Sequence, residues 1–353
     1  MEFIFEYGMF LAKVLTVVFG ILGVLITGVS LLNKQSDSKK GVLEINQLNE
    51  QYENMSETLL LSSLNSHEQK LKLKELREGK KKKSKSEKLL AKSSKHDIKP
   101  KKKVYIIDFN GDVRATEVDN LREEVTAITT QASSSDEVIV RLESGGGTVH
   151  GYGLAASQLD RLKKKGIALT VCVDKVAASG GYAMACVADQ ILAAPFAMIG
   201  SIGVVAQLPN FNRLMKKNDI DFEMLTAGEY KRTLTLFGEN TQKGREKFVE
   251  DLEDIHELFK EYVHERRPAM DMASVATGEV WLGARAKELN LVDSIQTSDE
   301  YIGDCIDESD VFEIKYVIKK SLIDRLGIAA ETTLDRLCSK WWARLTQGTE
   351  KSF

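Results

Sequence analysis

Apolar and polar positions alternate in sharply different ways along this chain. Residues 10–32 are almost wholly apolar, with Lys13 as the only charge, and about twenty such residues suffice to cross a bilayer. The pattern predicts a transmembrane helix over 10–32 behind a short N-terminal tail, residues 1–9. A cleavable leader has a basic start and a small-residue cleavage site, whereas Glu2 and Glu6 precede this run and no Ala-x-Ala follows it. Ile45, Leu48, Tyr52, Met55 and Leu59 then recur at intervals of three and four, which sets them on one helical face suited to a partner helix. Between residues 80 and 103 lysine dominates, opposed only by Glu87 and Asp97. Residues 33–103 therefore read as a helical, Lys-rich linker.

From Val104 onward the pattern is that of a globular α/β domain. Residues 104–109, 138–142 and 169–173 read as buried strands, and 118–132 and 153–165 as helices. Strands alternating with helices at this spacing predict parallel pairing through βα connections. Residues 184–206 are apolar enough to suggest a second span, but Asp189, Gln190 and Pro195 interrupt them; packing in the core is the better reading. Phe248, Leu252, Ile255, Phe259 and Val263 form the stripe of a long helix over 241–266. A second amphipathic pattern, 322–345, ends in Trp341 and Trp342 within a C-terminal segment, 321–353.

Composition narrows the field modestly. A chain of 353 residues with 43% hydrophobic content supplies one large core. The net charge of −3 says little about partners, because the charges are segregated along the chain. The Lys-rich stretch has no aromatic residues for stacking on nucleic acid and follows the apolar run, so it reads as a solvated linker or a contact with anionic lipid heads. Cys172, Cys186, Cys305 and Cys338 have no metal-ligand spacing and suggest no disulfide framework. Cys172 sits in a strand-like run and reads as a small buried hydrophobe.

The candidate chemistry lies in Ala177-Ala178-Ser179-Gly180-Gly181-Tyr182. A serine boxed in by small residues suits a tight strand-to-helix junction that exposes its hydroxyl. It needs a base, and none of His67, His96, His150, His256 and His264 lies in a suggestive motif. A lysine in an apolar site can serve, since burial favours the neutral amine, and Glu229-Tyr230-Lys231-Arg232 offers Lys231. Taken alone, such a serine is more often a packing residue and such a lysine a solvated one. The loop Gly145-Gly146-Gly147 directly after a buried strand shifts the balance, because glycines free backbone N–H groups for an oxyanion. It lacks the Lys-Ser/Thr ending of a P-loop.

These segments, with Ile199-Gly200-Ser201-Ile202-Gly203-Val204, Trp281-Leu282-Gly283-Ala284-Arg285-Ala286 and Leu291-Val292-Asp293, resemble in order and spacing the signal peptide peptidase family of membrane serine proteases across residues 104–300. The resemblance implies a ClpP/crotonase-like superhelix of ββα units over 104–320. It also implies Ser179 as nucleophile, Lys231 as general base and acid, and Ser201 as the group that orients Lys231. Backbone N–H groups of Gly145, Gly146 and Gly180 would hold the oxyanion, with no metal or organic cofactor. The glycine loop lacks a proline that the family more often carries after Ser144. Implied substrates are signal-peptide remnants and misfolded membrane or exported proteins, and no nucleic acid. A single repeat implies a ring-like homo-oligomer in which Ser179 meets Lys231 of an adjacent subunit. The implied location is the bacterial inner membrane with a periplasmic catalytic domain, whereas Lys34, Lys39 and Lys40 after the span favour a cytoplasmic one. Two rivals are a crotonase-type acyl-CoA enzyme on the same fold and a membrane scaffold with a dead protease domain.

Overall fold

The computed structural model describes residues 7–11, 13–17, 19–20, 41–93 and 101–318. The chain divides into two units, residues 1–42 with 317–353 and residues 43–316; the second carries nearly all of the structure described below. The expected span at 10–32 lies mostly outside the described residues. Its positions 10–11, 13–17 and 19–20 are helical, and among the described residues no helix is long and apolar enough to cross a membrane. The expected C-terminal helix at 321–353 lies outside the described residues.

The fold is α/β around one mixed sheet. Its strands run in the order β1 (Val42–Gln47), β10 (Asp310–Val317), β2 (Lys103–Gly111), β3 (Glu137–Ser144), β4 (Ala168–Val173), β6 (Gln190–Ala193) and β9 (Ser294–Ile295). From β10 to β9 every neighbouring pair is parallel. Val104 to Ile107 are all buried, which is why β2 reads in the sequence as an unbroken apolar run rather than an alternating one. Tyr105, Ile107 and Phe109 face α3 (Val118–Gln131) and α4 (Val149–Lys164) in the main core. Val104 and Ile106 pack on the other face with Ile139, Cys172 and Leu192, beneath Leu48 of α1 (Leu48–Ser62) and Ile302 of α10 (Ser298–Glu308). Burial among these apolar groups pushes the Cys172 thiol above its ordinary range.

A second, smaller layer grows from the end of β3. The short strand β5 (Val176–Ala178) pairs in parallel with β3 through Ser144 and Ala177, and with β7 (Met198–Gly200) along its whole length. Strand β7 pairs antiparallel with β8 (Val280–Leu282). The apolar stretch 184–206 thus supplies β6 and β7 to the sheet, and Ile191, Leu192, Ala193 and Ile199 are fully buried.

Several boundaries differ from the sequence reading. Helix α4 begins at Val149, four residues before the expected start at residue 153, and so includes Gly151. A Cβ on Gly151 would sit 2.8 Å from the Arg114 carbonyl oxygen, so this glycine serves a close approach and does not break the helix. Ile45 lies in strand β1 and not on the helical face of Leu48 and Tyr52. Of that face, Leu48 is buried and Tyr52 packs against the core, while Met55 and Leu59 are exposed. The Lys-rich stretch is helical as far as Ser93, in α2 (Ser66–Ser93).

One buried carboxylate sets a pH dependence. Glu124 of α3 is only 5% exposed, and its Oε1 accepts the Tyr316 N–H at 2.8 Å. Burial raises its pKa to about 7, partly opposed by that hydrogen bond. Unfolded, the group ionises near 4.5, so the folded state holds an extra proton between the two values and stability falls as pH rises through that window. Glu124→Gln keeps the acceptor and removes the cost. Denaturant unfolding well above pH 7 should show a gain of about 1–3 kcal/mol that is absent below pH 4.5; a loss above pH 7 would contradict this account.

Candidate active site

Ser179 occupies the one-residue junction between β5 and helix α5 (Gly180–Ala185), with φ 53° and ψ −121°. A non-glycine residue in this region costs on the order of 1–3 kcal/mol and persists only where its surroundings over-determine it. Here they do. The Ser179 N–H donates to the Gly200 carbonyl at 2.8 Å, and the Ser179 carbonyl accepts the Ala183 N–H at 3.0 Å. The serine is pinned to β7 on one side and to α5 on the other, which leaves its hydroxyl as the free end.

The glycine loop lies directly against this junction. Gly146 has φ +86°, and a Cβ there would sit 2.7 Å from both the Ala178 carbonyl oxygen and Ser179 Cβ, and 2.8 Å from the Gly180 nitrogen. A Cβ on Gly180 would sit within 2.8 Å of Tyr152 Cγ, Cβ and Cδ2, so any side chain there would overlap Tyr152. The small residues of both motifs are therefore explained by contact between two backbones. Ser144 ties the loop down: its Oγ lies 2.5 Å from Tyr152 Oη and accepts the Gly146 N–H at 3.1 Å. Tyr152 Oη also donates to the Asp112 carbonyl at 2.7 Å. Of the three candidate oxyanion donors, Gly146 is thus already engaged, while the Gly145 and Gly180 N–H groups have no acceptor among the described residues.

The remaining motifs brace the same region. Gly200 and Ser201 both have positive φ, at 103° and 51°, and the Ser201 N–H donates to the Glu279 carbonyl at 2.7 Å. Ile199 is in register with Trp281 across β7 and β8. Tyr182 is fully buried and its hydroxyl donates to the Leu291 carbonyl at 2.9 Å; burial raises its pKa. Asp293 accepts the Ile191 N–H at 2.7 Å and pairs with Arg267 at 2.8 Å.

Ser179 and Gly180 open onto a cleft of about 590 Å³. Its walls include Val113 and Val149 on one side and Leu258 and Phe259 of α7 (Gln242–Arg266) on the other. The cleft is apolar, so a charge inside it is poorly solvated and hydrogen bonds there are strengthened. The sequence marks Phe259 as part of the apolar stripe of a helix and not as a cleft residue, and nothing in it points to Val113 or Tyr152.

Lys231 and Ser201 are not among the residues lining the cleft. Lys231 is exposed, on the segment 204–240, whose only helix is α6 (Asn212–Lys217). Its N–H donates to the Gly228 carbonyl at 3.2 Å. Its neighbours Glu229 and Tyr230 face Lys243, through an ion pair at 2.5 Å and a cation over the ring at 5.9 Å. Within one chain the structure brings Gly146 and Gly180 against Ser179, leaves Gly145 off the cleft, and leaves Lys231 outside the group.

Two family models cover the chain. Peptidase family S49 N-terminal matches residues 2–159, and Peptidase family S49 matches residues 161–311. The probable protease SohB of Haemophilus influenzae is 50% identical over 326 residues, 92% of each chain. That of Buchnera aphidicola subsp. Schlechtendalia chinensis is 50% identical over 303 residues, 86% of this chain and 99% of the relative. Protease 4 of H. influenzae is 28% identical over 172 residues, 48% of this chain and 28% of the relative.

The packing of the glycine loop makes a paired prediction. Gly146→Ala should lower stability to denaturant by about 1–3 kcal/mol, from positive φ and backbone overlap together. Gly145→Ala, where an added Cβ meets nothing within 4 Å, should stay within about 0.5 kcal/mol of the parent. Equal effects would show that the loop does not press on Ser179.

Proposed function

Because the chain belongs to peptidase family S49, we propose that it is a membrane-anchored serine endopeptidase acting through Ser179 and Lys231. The observation that carries this reading is the strained Ser179 at the strand-to-helix junction, facing an apolar cleft beside the unengaged Gly180 N–H. Neutral Lys231 takes the Ser179 proton as Oγ attacks the substrate carbonyl. The Gly180 and Gly145 N–H groups hold the developing oxyanion, and Gly146, bound to Ser144, keeps the loop in place. Protonated Lys231 then gives its proton to the leaving amine, and the resulting acyl-enzyme is hydrolysed by a water that Lys231 activates. Ser201 orients the lysine.

The exposed position of Lys231 supports a site completed between subunits. In this reading the segment 204–240 of one copy delivers Lys231 to Ser179 of the next, and the chains close into a ring. An amine acts as a base only when neutral, and an apolar surrounding that excludes water favours that form; the cleft beside Ser179 provides one. The finer fold is the ClpP/crotonase-like superhelix. Residues 10–32 anchor the enzyme in the bacterial inner membrane, and its substrates are signal-peptide remnants or misfolded membrane and exported proteins.

Cleavage of an unfolded protein by the full chain in detergent tests the reading. Ser179→Ala and Lys231→Ala should each lower kcat/KM by about a thousandfold or more. Full activity in either variant would overturn the mechanism.

A further inference from the structure

One face of helix α2 carries a row of positive charge. Lys70, Lys74, Arg77, Lys81 and Lys85 follow one another at intervals of three and four, which aligns them along one side of a helix. From Lys70 to Lys85 the row runs about 22 Å at 1.5 Å per residue. The opposite side of α2 is committed to α1. Gln69 donates to the Leu61 and Leu64 carbonyls at 2.9 and 3.1 Å, Leu76 is half-buried, and Lys80 pairs with Glu57 at 2.8 Å and Glu53 at 3.7 Å. The five cations of the outer row are all exposed, and among the described residues none is in an ion pair.

The hairpin that presents this row is rooted in the sheet. Leu48 is buried in the core. Asn49 donates to the Ile306 and Ser309 carbonyls at 3.0 and 2.9 Å and accepts the Val311 N–H at 2.7 Å. A firmly mounted row of exposed cations suits an extended polyanionic surface better than a single small anion.

We propose that this face of α2 lies along an anionic lipid surface. Single-stranded nucleic acid is bound through aromatic stacking as well as charge, and α2 contains no Phe, Tyr or Trp. The apolar run 10–32 stands upstream in the same chain, and basic segments beside a membrane anchor are held by acidic lipid heads at roughly 1 kcal/mol per cation. The inference rests on the reading of 10–32 as an anchor.

Lysine acetylation mapped by mass spectrometry tests it, using the full chain in nanodiscs of phosphatidylcholine alone or mixed with phosphatidylglycerol. Lys70, Lys74, Lys81 and Lys85 should react about fivefold more slowly in the anionic discs, with the difference lost at high salt. Exposed Lys216, paired with Glu239 elsewhere on the chain, should react alike in both. Equal rates in the two lipids would overturn the proposal. So would protection that appears only with added RNA, or protection in neutral discs that grows with protein concentration and so assigns the face to a second copy. A chain that joins neither kind of disc would refute the anchor instead. The footprint repeated on preformed vesicles then decides the α2 proposal alone: slowing by phosphatidylglycerol supports it, and no slowing overturns it.

Discussion

Strand β5 is three residues long, and the site depends on where it is held. Ala177 is in register with Ser144 on one side and with Ile199 on the other, and Ala178 is opposite Gly200. The next residue, Ser179, continues the ladder with its N–H and then turns at once into α5. That turn is possible only in the left-handed region, so the serine is strained by the register of the strand that precedes it. The strain is offset by contacts that all come from distant parts of the chain: Gly146 beneath it, Tyr152 against Gly180, and Tyr182 tied to the Leu291 carbonyl.

The same constraint explains why the motifs are spread along the sequence. The glycine loop follows β3 because the end of β3 is where β5 docks. The Gly200-Ser201 turn and Trp281 are needed because β7 and β8 form the far wall of that small layer. Tyr152 acts twice, through its ring beneath Gly180 and through its hydroxyl on Ser144 and the Asp112 carbonyl. The result is a rigid floor with an apolar cleft above it, an arrangement that holds donors in place before any charge develops.

Much of this was legible in the residues, for identifiable reasons. Strands β2, β3 and β4 are buried runs, and α3 and α7 show clear helical periodicity, so their existence and approximate limits followed from pattern. The serine and the glycine loop stood out because small residues in a row have few explanations. Strands β5, β7 and β8 have three residues each, too short for any periodicity, and β1 is mostly exposed, so its pairing was invisible. Val113 and Tyr152 carry no local signal; they belong to the site only because β2 ends and α4 begins beside it. The engagement of the Gly146 N–H by Ser144 is a side-chain contact that no spacing rule reports.

In the proposed mechanism, Ser179 of one chain works with Lys231 of another. Mixing inactive Ser179→Ala protein with inactive Lys231→Ala protein, under conditions that allow subunits to exchange, tests it most directly. The account predicts that activity returns on mixing, because some interfaces then pair an intact serine with an intact lysine. If the mixture stays as inactive as its parts although mixed oligomers have formed, the two residues do not act across an interface, and the account is wrong.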